Sequence, residues 1–212
     1  MKKRASNIIG IVGTNNTGKT VIAEEIIKTF NIKRDKLNST NYPSNYHRLV
    51  VFDVQDRLGH LLRKGDISIR IGDEGWEKMI LGLRDSMVVF DDFKVLLEGD
   101  RISKDLLKVF GYRMEYGIDL IFIVWHPSLF PPSMHRFLDK YYLFRTNGSE
   151  KEFIDRLNGS KEDLVNCKRL LDKEFLKYNE TEYGALYPNF PFIYYDTGTN
   201  KSIKINFKNS NN

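Results

Sequence analysis

The chain has 212 residues, 41% of them hydrophobic and 13% aromatic, which is enough apolar side chain for one packed domain with a small appendage and excludes a disordered polymer. Its formal net charge of +5 permits a polyanionic partner without demanding one. The single cysteine, Cys167, excludes an internal disulfide, and it falls on the apolar stripe of a helical segment, where core packing is its expected role.

The basic start Met1-Lys2-Lys3-Arg4-Ala5-Ser6 is followed by an apolar run too short for a signal sequence. No run approaches the roughly 18 apolar residues of a membrane span, so a soluble cytoplasmic protein with no membrane span is expected. The apolar run itself, Asn7-Ile8-Ile9-Gly10-Ile11-Val12, reads as a buried strand. It leads into Gly13-Thr14-Asn15-Asn16-Thr17-Gly18-Lys19-Thr20, which fits the pattern G-x-x-x-x-G-K-[ST] and passes into the helically spaced Val21-Ile22-Ala23-Glu24-Glu25-Ile26-Ile27-Lys28. Strand, glycine loop and helix in this order make a phosphate-binding arrangement: backbone N–H groups of residues 13–21 and the helix N-terminus face the anion, Lys19 reaches the β- and γ-phosphates, and the Thr20 hydroxyl ligates Mg²⁺. A plain turn does not need Lys and Thr directly after its second glycine.

Residues 33–46, rich in Asn, Ser, Lys and Pro, read as a surface loop. A second strand follows at residues 49–56, ending in Asp53 and Asp56, which could face a ligand crevice or be solvated turn residues; no chemistry is assigned to them. Ile67-Ser68-Ile69-Arg70-Ile71 alternates as a short strand, and residues 74–83 form a helix with Trp76, Ile80 and Leu83 on one face. Ser86-Met87-Val88-Val89-Phe90-Asp91-Asp92-Phe93 is an apolar strand closed by two carboxylates, the form of a Walker B element. Since successive strand side chains point to opposite faces, the acids should divide the labour: Asp91 in the Mg²⁺ shell, Asp92 polarising the attacking water.

After an interruption at Glu98-Gly99-Asp100, a helix of about four turns is expected from Ser103 with Gly117 as its stop. Residues 118–125 are nearly all apolar, hence a central strand covered on both faces, ending in the polar turn His126-Pro127-Ser128. Pro131-Pro132 opens a short helix to Leu138, and residues 140–145 form a further strand. Residues 149–178 are charged and helical, with a capping-box start at Ser160-Lys161-Glu162-Asp163 and the stripe Leu164, Cys167, Leu171, Phe175. Residues 192–206 carry a hairpin signature around Thr197-Gly198-Thr199-Asn200. The histidines 47, 60, 126 and 135 are dispersed, which argues against a zinc site.

The layout predicts an α/β fold in three layers, a mostly parallel central sheet with helices on both faces. Residues 1–146 would form the core, and residues 147–212 a helical segment plus hairpin packed on it. A Walker B strand separated from the phosphate-loop strand by another strand points to the additional-strand, RecA/FtsK-like branch of P-loop NTPases. The stretch from Phe110 to Pro127, with Arg113 on a helix before a Gly-Ile step and a strand ending at His126-Pro127, resembles the HerA/FtsK superfamily, as does the stretch from Met134 to Thr146. The chain's small size is similar to the viral genome-packaging ATPases of that superfamily.

The resemblance implies ATP and Mg²⁺ as cofactors, catalytic roles for Lys19, Asp92, Arg113 and His126, and a pentameric or hexameric homo-oligomeric ring acting on double-stranded DNA. It extends to a capsid portal or vertex protein as partner, and to host cytoplasm or virion as location. Arg113 would be the trans-acting arginine finger, or an exposed helix arginine; Arg136 and Arg145 are weaker candidates. Two departures stand out: His126 replaces the usual Gln or Asn sensor, and Asp92 the usual Glu, which would draw the water about one methylene closer. DNA would be held without sequence preference by Lys and Arg of residues 57–64 and 94–104. Two alternatives share the loop: a small-molecule kinase, for which there is no Arg-rich lid, and an assembly ATPase of the zonula-occludens-toxin type, a class that usually carries a membrane span.

Overall fold

The computed structural model describes residues 6–15, 17–37, 44–53, 55, 57–70, 73–97, 101–179 and 191–205. Asn16, Asp56, the Glu98-Gly99-Asp100 interruption, the Phe175 side chain and residues 206–212 lie outside them. The strands are β1 (Ile8–Val12), β2 (Leu49–Phe52), β3 (Ile67–Ile69), β4 (Met87–Phe90), β5 (Asp119–Val124), β6 (Lys140–Leu143), β7 (Phe192–Asp196) and β8 (Lys201–Ile205); the helices are α1 (Lys19–Lys36), α2 (Trp76–Leu81), α3 (Lys104–Tyr116), α4 (Glu150–Asp155) and α5 (Lys161–Asn179). All eight strands belong to one sheet in the order β3-β2-β4-β5-β1-β6-β7-β8. The acidic strand β4 is therefore separated from the loop strand β1 by β5, the order expected for the additional-strand branch. The chain divides into two compact units, Met1–Ile9 with Thr20–Ile123, and Gly10–Lys19 with Val124–Asn212.

In the first unit β2 pairs in parallel with both β3 and β4, and β4 in parallel with β5. Parallel strands need helical crossovers, and the chain steps from β1 to β2 in one direction along the sheet but from β4 to β5 in the other. Right-handed crossovers then put α1 and α3 on opposite faces. The register sets Phe52 beside Phe90 and Phe90 beside Phe122. Their rings stack at centroid distances of 4.6 and 4.7 Å, with Trp76, Phe93 and Phe110 edge-on to this row. Phe52 and Phe90 are the last residues of β2 and β4, so the row anchors the strand ends that lead directly into Asp53 and Asp91.

Helix α3 starts and stops where the sequence places its caps: Ser103 accepts the N–H of Leu106 at 3.0 Å, and Gly117 takes the left-handed conformation at φ 69°. A side chain at Gly117 would also collide with Asp85. Helix α1 instead runs to Lys36, into the segment expected to be loop. The reason is a buried ion pair: the Arg34 guanidinium donates to both carboxylate oxygens of Asp66 at 2.6 Å, and Asp66 also accepts the N–H groups of Leu49 and Arg63. Strand β2 ends at Phe52, and Asp53 spends its carboxylate on the N–H groups of Gln55 and Leu58, the turn role of the two left open.

The second unit holds β6 to β8 and the two last helices, and β7 pairs antiparallel with both β6 and β8. The hairpin is thus part of the sheet. The capping box forms at Ser149 and Glu152, at the start of α4, rather than at Ser160, where only the Asp163 N–H reaches the serine hydroxyl. Leu164, Cys167 and Leu171 are buried as expected, and burial pushes the Cys167 thiol up. The turn between α4 and α5 is held by two strand tyrosines: Tyr141 accepts the Asn158 N–H and Tyr195 the Ser160 N–H, both at 2.9 Å. Burial raises both phenols.

Candidate active site

The phosphate loop, in the second unit, is braced by strand ends. Phe144 N–H donates to the Val12 carbonyl at 2.8 Å, Thr14 N–H to the Arg145 carbonyl at 3.0 Å, and Gly13 N–H to the Val124 carbonyl at 3.2 Å. Gly13 must be glycine because a Cβ there would run into the Phe144 Cβ. Inside the loop the buried Thr17 donates its hydroxyl to the Thr14 carbonyl at 2.8 Å, and Gly18 turns the chain at φ 92°. The Lys19 ammonium rests 2.7 Å from the same Thr14 carbonyl.

Thr14, Gly18, Lys19 and Thr20 are half-buried, Asn15 and Val21 exposed. Helix α1 has no acidic residue in its first turn and Lys33, Arg34 and Lys36 in its last. That charge layout leaves the positive end of the helix dipole free for an anion. A cation resting on the loop and a helix N-terminus free of acids suit the phosphates of a nucleotide.

His126 lies just past β5, in the same unit. Its Nδ1 accepts the Ser128 N–H at 3.2 Å and sits 2.7 Å from the Ser128 hydroxyl, so the ring caps the 3₁₀ turn Pro127–Leu129. Nε2 faces Gly148, where a Cβ would come within 2.7 Å of it. Any bond from His126 to a γ-phosphate or water would go through Nε2. Arg136 is exposed over the Phe137 ring, and Arg145 stands 3.9 Å from Asp172.

The paired acids belong to the first unit. Strand β4 ends at Phe90, so Asp91 and Asp92 occupy a turn rather than the strand itself. Asp91 is buried and extends the ladder by donating its N–H to the Phe52 carbonyl at 2.9 Å. Asp92 is half-buried in the left-handed region at φ 55°, which Asp tolerates better than most residues, and opens the 3₁₀ turn Phe93–Leu96.

Arg113, in the last turn of α3, donates from one terminal nitrogen to the Phe110 carbonyl at 2.7 Å, so its guanidinium lies along its own helix. Large exposed side chains flank it, Tyr112 at 47% and Met114 at 50% exposure. Of the two basic stretches, Arg57, Lys64, Arg101 and Lys104 are exposed, while Arg63 is ion-paired with Asp35. Among the described residues, no cluster of His, Cys, Asp and Glu could hold a metal by itself, and no helix is long and apolar enough to cross a membrane.

Sequence reading missed what supports the loop from behind. Carbonyls such as that of Arg145 leave no mark on a sequence. Lys168 did leave one: it follows Leu164 by one helical turn, on the apolar stripe, and it is 3% exposed.

No protein-family model matches the chain, and no curated protein sequence does. Solved structures do. The genome packaging NTPase of Sulfolobus turreted icosahedral virus 2, in complex with ATP-gammaS, superposes with a TM-score of 0.61 at 12% identity, over 94% of this chain and 96% of that one. The DNA-packaging ATPase of Sulfolobus Turreted Icosahedral Virus gives 0.60 at 11% identity, over 95% and 97%. The cytoplasmic domain of the Thermomonospora curvata Type VII secretion ATPase gives 0.62 at 11% identity, over 97% of this chain but 24% of that one. At such identities the likeness is one of fold, and it spans nearly the full length of the viral enzymes. The chain thus has the mostly parallel α/β fold of the P-loop NTPases, in a form that resembles the viral genome-packaging ATPases.

Proposed function

We propose that this chain is an ATP-hydrolysing motor that moves double-stranded DNA, working as one subunit of a pentameric or hexameric ring that packages a viral genome. The observation that carries the reading is the phosphate loop, with the Lys19 ammonium drawn back onto the Thr14 carbonyl at 2.7 Å and an acid-free helix start behind it. Lys19 would exchange that carbonyl for the β- and γ-phosphates, and Thr20 and Asp91 would hold Mg²⁺. Asp92 would polarise the attacking water, and His126 would report on the γ-phosphate through Nε2.

The exposed Tyr112 and Met114 around Arg113 suit burial against a second copy, which supports a ring in which Arg113 serves the neighbouring site. The exposed cations Arg57, Lys64, Arg101 and Lys104 suit sequence-independent contacts to phosphate. A portal or vertex protein of a capsid would be the docking partner, and host cytoplasm or virion the site of action.

The deciding assay is ATP turnover with Mg²⁺, with and without duplex DNA, on material of known oligomeric state. DNA should stimulate turnover severalfold. Turnover that ignores DNA would sink the translocation part of the proposal, and no turnover in any oligomeric state would sink the whole.

A further inference from the structure

The C-terminal helix α5 carries a lysine where a lysine is costly. Lys168 is 3% exposed, and lysine is almost never buried unless its charge and donors are met. Its ammonium reaches the Thr146 carbonyl at 3.2 Å and the two carboxylate oxygens of Asp172, one turn further along α5, at 2.7 and 2.6 Å. Asp172 in turn lies 3.9 Å from Arg145 Nε. Thr146 is itself 1% exposed, so its carbonyl has no recourse to solvent once the ammonium is removed. The residue before it supplies the carbonyl that receives the Thr14 N–H, and the one before that packs its Cβ against Gly13.

The geometry points to Lys168 as a positioning residue for the phosphate loop. The Lys168–Asp172 pair pins the exit of β6, the exit of β6 pins Thr14, and Thr14 carries the carbonyl on which Lys19 rests. The part of the inference that concerns ATP rests on the reading above, that the loop binds nucleotide; the pinning of Thr14 does not. On this account the segment after β6 is a working part of the nucleotide site rather than an appendage. An ammonium is suited to the task because it can meet a backbone carbonyl and a carboxylate together, each a charge-assisted bond. Placing the pair on a separate helix couples the docking of α5 to the shape of the loop.

The test uses the full-length chain and two readouts. In Lys168→Met, amide hydrogen exchange should show the Thr14 N–H losing protection by about tenfold or more, the cost of one buried charge-assisted bond, while the β1 amides Ile9 and Ile11 keep theirs. The dissociation constant of the non-hydrolysable analogue AMPPNP with Mg²⁺ should rise by a similar factor. Asp172→Asn, at a half-buried position that tolerates the isostere, should shift both readouts in the same direction and stands in should Lys168→Met not fold. Arg169→Ala is the control, since it removes the pair from α5 to Glu150 on α4 and touches neither β6 nor the loop.

Wild-type exchange at Thr14 in both folded variants would overturn the inference. So would a uniform loss across β1, or the same loss in Arg169→Ala, since either would make Lys168 a general stabiliser of the fold. If the wild-type chain binds no AMPPNP, the nucleotide reading fails, and Thr14 exchange alone then decides the clamp.

Discussion

On the proposed mechanism, Lys19 in the loop and Asp92 in the turn after β4 have different tasks. The ammonium at the helix start would meet charge on the phosphates in both ground and transition states, so Lys19→Ala should lose turnover and weaken nucleotide binding together. Asp92→Asn keeps shape and hydrogen bonding but cannot draw a proton from water, so it should bind ATP as the wild type does and turn it over about 10²-fold more slowly. Isothermal titration with AMPPNP and a phosphate-release assay separate the two. Near wild-type turnover in Asp92→Asn would remove it as the catalytic acid. The left-handed φ of 55° at Asp92 is compatible with a carboxylate placed by the turn rather than by strand alternation.

Strand β2 is held at its last residue, Phe52, and at its first, Leu49, by two devices that answer to different physics. The row Phe52, Phe90, Phe122 is fully apolar and in register across three strands, with exposures of 1%, 0% and 0%. Phe90→Ala would empty its middle and should cost about 3–5 kcal/mol, since close-packed neighbours relax only in part. The Arg34–Asp66 pair is as deeply buried, with side-chain exposures of 5% and 0%. Removing one partner leaves the other charged and unmet, so Arg34→Ala should also cost about 3–5 kcal/mol. Urea denaturation at unchanged slope would show both as shifted midpoints. The Arg34 result should leave α1 frayed after about its fourth turn, seen as lost amide protection for residues 32–36 alone. If Arg34→Ala were as stable as the wild type, the pair would not be the reason α1 extends beyond the loop boundary read from sequence.

A ring motor makes demands that one subunit cannot meet alone. In the isolated chain Arg113 bonds to the Phe110 carbonyl, so action in trans would cost about 1–3 kcal/mol to release it, to be recovered from a γ-phosphate on the next subunit. Arg113→Ala should bind nucleotide yet hydrolyse poorly. Mixing it with Lys19→Ala, each inactive alone, should restore activity at interfaces that pair an intact loop with an intact arginine. No recovery in co-assembled mixtures would count against a trans role, and full activity of Arg113→Ala alone would remove it from the site. Duplex binding should weaken steeply with salt and ignore sequence, because each Lys or Arg contact releases condensed counterions. A flat salt response would point away from DNA.

The phosphate loop, the paired acids, both caps of α3 and the β1-to-β5 alternation of strand and helix are legible in the residues because each is a local requirement. Glycine is needed for a left-handed turn, serine for orphan amides, and continuous apolar runs for strands covered on both faces. The additional-strand layout is read from such local features, and the strand order of the sheet agrees with it. The rest was decided by partners distant in sequence. Nothing near Lys36 says that α1 continues to it; Asp66 does, through Arg34. Asp53 reads equally as ligand or turn until Leu58 N–H is seen to take its carboxylate. The strand alternation argument does not apply to Asp91 and Asp92, because β4 stops at Phe90 and Asp92 turns left-handed. Lys168 falls on the apolar stripe one turn after Leu164, but only the structure shows its ammonium buried against the exit of β6, on the Thr146 carbonyl. A buried charge is held by groups converging from several elements, and that convergence belongs to the fold and not to any stretch of the chain.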